Sequence, residues 1–257
     1  RKTFHNSEQQ QEANVKREIS RVVAGLLFAI SSLSLAGCLV NRLHTVQNQF
    51  CDFDENFSVS VDGGMSIAFL NPVLLYDDVV FLAGLAPQLE NLGGDRYRAS
   101  YLIRRDDGRE GVEIPVIFAF EKQDHELRLT RVSVQSPVLS AFHPAKFPQV
   151  IDDACNMNLS FSRARIELPI PYFDRTLIPT REQLIQMAGK PTQLSHDGNE
   201  LLYQFVLEGA NNDELTGSIN LLYGDSGDTL LRTRTRFYHY SSGADFEHGT
   251  AWAKITL

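Results

Sequence analysis

Three arginines alternate near the C-terminal end of the chain: Arg232, Arg234 and Arg236, inside the run LLRTRTRFYHY. In an extended strand successive side chains point to opposite faces. All three guanidinium groups therefore share one face, with Leu231, Thr233, Thr235 and Phe237 on the other. A row of guanidinium groups can bind carboxylates or phosphates through paired N–H donors, which makes partner binding the chemistry these residues offer. The same row also suits the solvated face of an antiparallel sheet, paired with surplus Asp and Glu. Arg163 and Arg165 form a shorter pair of the same kind. Just upstream of the row, Gly224-Asp225-Ser226-Gly227 could present a serine nucleophile. However, Asp228-Thr229 follows it, strand-like runs flank it, and no upstream histidine motif completes a triad. The four residues read as a hairpin turn. The histidines beyond residue 38 are His44, His125, His143, His196, His239 and His248, and none shows metal-ligand spacing. No catalytic residue, metal or cofactor is expected. Tyr238, Tyr240 and Trp252 suit either a contact surface or a core.

Composition bounds the partners. The chain has 257 residues, 43% hydrophobic and 22% charged, which is ordinary for a globular protein. Its net charge of −8 argues against nucleic acid, whose binders carry a basic face.

The first forty residues read as an address. Lys16, Arg17 and Arg21 precede the uncharged apolar run Val22–Leu35. That run is shorter than the about 20 residues a membrane-spanning helix needs, and fits the middle of a secretory signal peptide. A signal beginning near Val15 would have the usual form, which leaves the polar stretch 1–14 as an extension. Leu35-Ala36-Gly37-Cys38 resembles the lipobox of bacterial lipoproteins. The resemblance implies removal of residues 1–37, acylation of Cys38 by chains such as palmitate, and a membrane partner reached through that anchor. Leu39 stands where such lipoproteins carry Asp when they stay at the inner membrane, which implies the outer membrane, periplasmic face. Residues 38–50 form a lipid-proximal tether in which Leu39, Leu43, Val46 and Phe50 recur at helical spacing. With Cys38 lipidated, Cys51 and Cys155 remain as a disulfide candidate in an oxidising compartment, the alternative being two separate buried thiols. Closing that loop would stabilise the fold by on the order of 4 kcal/mol.

An internal repeat organises the rest. CDFDENFSVSV from Cys51 aligns with CNMNLSFSRAR from Cys155. Ala83-Gly84 aligns with Ala188-Gly189, Gly94 with Gly198, and Val116–Phe120 with Ile219–Tyr223, at a nearly constant offset. The expected organisation is a first repeat over 51–135, a linker over 136–154 containing Pro137, Pro144 and Pro148, and a second repeat over 155–257. In the second repeat Thr180 and Gln183 form a capping box, and Gly189 and Pro191 end the helix. Strands follow at Leu201–Leu207, Ser218–Tyr223 and Leu230–Tyr240; the first repeat offers a helix at Asp77–Ala83 and strands at Arg96–Arg104, Gly111–Phe120 and Leu127–Gln135. The expected fold class is α+β, two tandem units, each a short helix packed on an antiparallel sheet.

The stretch Ile178–Phe237, with its Thr-capped helix ending Gly-x-Pro and its strand pair joined by GDSGD, resembles the SmpA/OmlA small outer-membrane lipoproteins. The tandem arrangement is similar to beta-lactamase inhibitory protein. These resemblances imply a non-catalytic role in envelope assembly or maintenance with envelope proteins as partners. Alternatively, they imply a periplasmic enzyme inhibitor or ligand sensor. If the repeats are related by a pseudo-twofold axis, matched residues near that axis meet one another.

Overall fold

The structure, a computed structural model, describes residues 39–60, 64–106, 113–135, 158–160, 165–169 and 178–255. The expected signal segment 1–37, Cys38, the expected linker 136–154, Cys155 and Arg163 lie outside them.

Residues 39–51 are helical (α1) and a single turn, α2 (Phe53–Asn56), follows. Cys51 closes α1 and is disulfide-bonded; its partner lies outside the described residues. Phe57 stacks on Phe50 at 4.8 Å and Phe53 at 5.2 Å, and meets Phe69 edge-on at 5.3 Å, which ties this helical entry to the first hairpin.

The first half runs β1 (Phe57–Ser60), β2 (Met65–Phe69), α3 (Tyr76–Ala83), β3 (Gln88–Gly93), β4 (Arg96–Arg105), β5 (Ile114–Gln123) and β6 (Glu126–Val134). The second half repeats that order as β7 (Asn158–Ser160), β8 (Arg165–Pro169), α4 (Arg181–Ala188), β9 (Gln193–Leu194), β10 (Glu200–Glu208), β11 (Glu214–Tyr223) and β12 (Leu230–Phe237). A hairpin, β13 (Tyr240–Asp245) and β14 (Thr250–Ile255), is added at the end.

The expectation of two separate helix-on-sheet units is corrected by the sheet itself. All described strands belong to one antiparallel sheet of fourteen, ordered β1-β2-β6-β5-β4-β10-β11-β12-β13-β14-β8-β7, with β3 beside β4 and β9 beside β10. The physical reason lies at β4 and β10. Each would be the open edge of its own half beyond the short β3 or β9, and an open edge exposes unpaired N–H and C=O groups. The two edges satisfy each other, with Leu102↔Glu208, Ile103↔Leu207, Arg104↔Val206 and Arg105↔Phe205 in register. Two helices of eight residues each cannot cover a sheet of this width, so the sheet, and not a helix–sheet layer, defines the architecture.

The halves match residue by residue. Phe120 opposes Leu129 just after a bulge at Ala119/Phe120, and Tyr223 opposes Leu230 just after a bulge at Leu222/Tyr223. Ala99 and Leu201, equivalent on β4 and β10, are both 0% exposed. Tyr101 and Tyr203, two residues further on, both donate to the carbonyl of a residue just past the helix: Leu85 at 2.8 Å and Gly189 at 2.9 Å. By this equivalence Arg104 and Val206 are counterparts, and they are also directly opposed in the join. A local twofold therefore passes between them, normal to the sheet.

Beneath α4 the core is Ile178, Leu184, Leu201, Tyr223 and Leu230. Tyr223 donates to the Pro179 carbonyl at 3.1 Å, and burial pushes its hydroxyl, like that of Tyr203, up to about 12, so both remain neutral donors. The capping box forms as its sequence implies: Gln183 N–H donates to Thr180 Oγ1 at 3.3 Å, and Thr180 N–H to Gln183 Oε1 at 2.9 Å. In α3, which lacks a Thr, buried Asp78 supplies half of the motif by accepting from Leu75 N–H at 2.8 Å. Thr180→Ala is expected to lower stability by about 1 kcal/mol, read as a shift in the denaturant midpoint without a change in slope. An unchanged midpoint would show that α4 is held by packing alone.

Contacts between the halves reinforce the join. Arg104 binds Glu208 at 3.3 Å and also Glu214. Arg105 Nη1 donates to the carbonyls of Lys190 at 2.5 Å and Ala188 at 3.4 Å, capping α4 from the first half. In return, Ala210 N–H donates to Ala86 C=O at 2.8 Å, docking the second half on the loop after α3.

Candidate binding face

Register decides what each side of the sheet presents. Leu221, Ile219 and Gly217 of β11 oppose Thr233, Thr235 and Phe237 of β12, and Leu221 packs on the α4 core, so these residues look toward the helices. Leu222, Asn220 and Ser218 oppose Arg232, Arg234 and Arg236, which therefore look away from them. The three arginines share one exposed face and their neighbours alternate as half-buried, as the spacing implies.

The row is not uniform. Arg232 is committed: its Nε lies 3.1 Å from Asp245 Oδ2 and its Nη2 3.3 Å from Glu247 Oε2. Asp245 also meets His248 Nδ1 at 2.9 Å and accepts the His248 backbone N–H at 3.0 Å. Burial alone would raise the Asp245 carboxyl; the His248 hydrogen bonds and the charges of His248 and Arg232 outweigh it and hold the group below its ordinary value. A depressed folded value contributes stability that is present above the unfolded value of about 3.9 and lost as pH falls through the folded one. A carbon-detected NMR titration is expected to place the Asp245 midpoint below that of a free aspartate, and Arg232→Gln to move it upward. A midpoint at or above the free value contradicts this arrangement.

Arg234 and Arg236 have no hydrogen-bond or ion-pair partner among the described residues. Arg234 opposes Gly243, and Gly243 opposes Trp252. A Cβ at Gly243 would lie 3.1 Å from the Trp252 ring, so the indole covers the glycine on the same face as Arg234. Trp252 is thus half-buried packing beside the row. Tyr238 occupies the two-residue β12–β13 turn with φ 48 and is 52% exposed. A two-residue hairpin turn with positive φ at this position favours glycine, so a tyrosine there carries strain. Its ring packs against Gly84, at the end of α3, where any Cβ would collide with it.

Arg236 borders a depression of about 430 Å³ that Asp106, Gln204, Thr216, Ser218 and Tyr238 also line. Asp106, Gln204 and Ser218 escape sequence reasoning because they meet only through register across four strands. The available signal is a single polar residue, Gln204, inside the apolar run LLYQFVL.

The Gly224–Gly227 segment is the β11–β12 turn. Gly227 N–H donates to Gly224 C=O at 2.8 Å, Ser226 Oγ accepts from Asp228 N–H at 3.3 Å, and Asp225 accepts from Asn199 Nδ2 at 3.2 Å. Among the described residues no cluster of three His, Cys, Asp or Glu side chains could hold a metal, and no helix is long and apolar enough to cross a membrane. The side chain of Arg165 is not described. No protein-family model, curated protein or solved structure matches this chain.

Proposed function

We propose that this chain is a non-catalytic, lipid-anchored binding protein of the bacterial envelope. It is tethered through Cys38 at the periplasmic face of the outer membrane and docks envelope proteins through the arginine side of its sheet, in envelope assembly or maintenance. The observation that carries this reading is the pair Arg234 and Arg236. Both project from an open sheet face without a partner among the described residues, in a chain whose net charge of −8 supplies abundant carboxylates. Unpaired guanidinium groups on a rigid strand are ready to meet carboxylates of a partner, and a charged face steers association more than it deepens affinity. The lipobox-like Leu35–Cys38 and the SmpA/OmlA-like pattern of Ile178–Phe237 support the location and the class.

Two measurements test it. Labelled palmitate should enter the wild-type chain in cells and be absent from Cys38→Ser. A photoreactive side chain at position 234 should capture a discrete envelope protein, and Arg236→Glu in the same chain should weaken that capture severalfold. Capture from Phe81, exposed on α3, with none from 234, would place the docking surface on the other side. Failure to incorporate palmitate would remove the anchor.

A further inference from the structure

The depression beside Arg236 has an order that its individual residues do not announce. Gln204 opposes Ser218 across β10 and β11, and Ser218 opposes Arg236 across β11 and β12. Asp106 continues the β4–β10 register, donating its backbone N–H to Gln204 C=O at 3.2 Å. The four residues Asp106, Gln204, Ser218 and Arg236 therefore form one line perpendicular to four strands, and all four border the same 430 Å³ depression. None of their side chains has a hydrogen-bond or ion-pair partner among the described residues. That volume is within the range of ligand sites, about 300–1,000 Å³. The strained Tyr238 lines one end, and backbone strain clusters at binding sites.

The charges at the two ends are opposite and do not neutralise each other. Three inter-strand steps of about 4.8 Å set the Cα atoms of Asp106 and Arg236 about 14 Å apart. With the side chains standing roughly perpendicular to the sheet, carboxylate and guanidinium stay about 14 Å apart, and a charge-assisted contact of about 2.8 Å at each end leaves about 8 Å between the ligand's own charged groups. A ligand that satisfies both ends carries an ammonium and a carboxylate at that spacing, with amide groups between them for Gln204 and Ser218. An extended chain spans about 3.3–3.6 Å per residue, so three residues cover the gap.

We infer that the depression binds a short peptide of about three residues with both termini free: its ammonium at Asp106, its carboxylate at Arg236 and its amides against Gln204 and Ser218. This deepens the reading of the arginine side as a binding face. The purified protein tests the depression alone, so capture by position 234 in cells and peptide binding can fail independently.

The experiment is calorimetric titration of the full chain in detergent with trialanine, N-acetyl-trialanine and trialanine amide. Trialanine is expected to bind saturably, and each blocked form at least about tenfold more weakly, the scale of one lost charge-assisted hydrogen bond. Arg236→Gln should weaken trialanine to the level of the amide and abolish the difference between those two, while the penalty for N-acetylation persists. Asp106→Asn should do the reverse, abolishing the N-acetyl penalty and sparing the amide penalty. Both substitutions are on exposed side chains, and an unchanged melting temperature verifies folding. Absence of saturable binding at millimolar trialanine overturns the inference. Binding indifferent to both blocking groups, or penalties that do not move to the assigned residues, does so equally.

Discussion

Leu201→Ala is expected to destabilise the chain by about 3 kcal/mol, the middle of the range for truncating a fully buried leucine. Leu201 is 0% exposed and lies at the centre of the α4 core, among Ile178, Leu184, Tyr223 and Leu230. The loss combines hydrophobic transfer with the cavity left behind, because neighbours held by sheet register relax only in part. The equivalent residue in the first half is Ala99, also 0% exposed. Each half has thus been filled differently at one place in the fold. Ala99→Leu, which copies the second half into the first, should also destabilise, by about 1–3 kcal/mol, because that core is closed around a methyl group. Denaturant unfolding reads both. If Ala99→Leu were neutral or stabilising, the two cores would be interchangeable and the residue-by-residue equivalence would need revision.

Gly209→Ala carries the second large effect, about 2–3 kcal/mol, although it adds a single methyl group. The new Cβ would fall on Leu85 Cδ1 and on the Ala86 carbonyl oxygen. The oxygen belongs to backbone and cannot swing aside, so the loop after α3 must withdraw and the Ala210 N–H to Ala86 C=O bond is lost with it. Gly224→Ala is the control. Its nearest neighbour would be 3.8 Å from the new Cβ, an ordinary contact, and the change should stay within about 0.5 kcal/mol. Equal effects at the two glycines would mean that the halves do not dock through Gly209.

Local chemistry made much of this structure readable from sequence. The Thr180 box, the Gly189 stop and the alternation of β12 each depend on residues within a few positions of one another, and each forms where those residues stand. The apolar strands β4, β5, β6, β10 and β11 were recognisable for the same reason. The β13–β14 hairpin was not, because YSSGAD has small polar residues where a strand usually has β-branched ones; Gly243 is needed there to admit Trp252. The segment Leu230–Tyr240 reads as one strand, yet it turns at Tyr238, where a tyrosine takes a conformation that favours glycine. Aligning Gly94 with Gly198 matches the turns but not the strands that follow: the stretch from Gly198 to Leu201 is two residues shorter than that from Gly94 to Ala99, so Ala99 corresponds to Leu201 and not to Tyr203. The join of β4 and β10 left no trace, because alternation tells which face a residue takes and says nothing about which strand lies beside it. Asp106, Gln204 and Ser218 were hidden by the same blindness, and Arg232 could not be told from Arg236 until Asp245 and Glu247 were placed beside it.

The claim that one sheet runs through both halves rests on four backbone amides. Asp106 N–H bonds to Gln204 C=O, and antiparallel pairs alternate between bonded and unbonded. That alternation aims the N–H groups of Leu102, Arg104, Val206 and Glu208 into the join. Hydrogen exchange of the full chain, read at those four amides, is the direct test. They should exchange as slowly as the amides of Phe120 and Tyr223 in the interior of each half. Exchange as fast as the edge strand β1 would show two sheets lying side by side, and with them would go the line from Asp106 to Arg236.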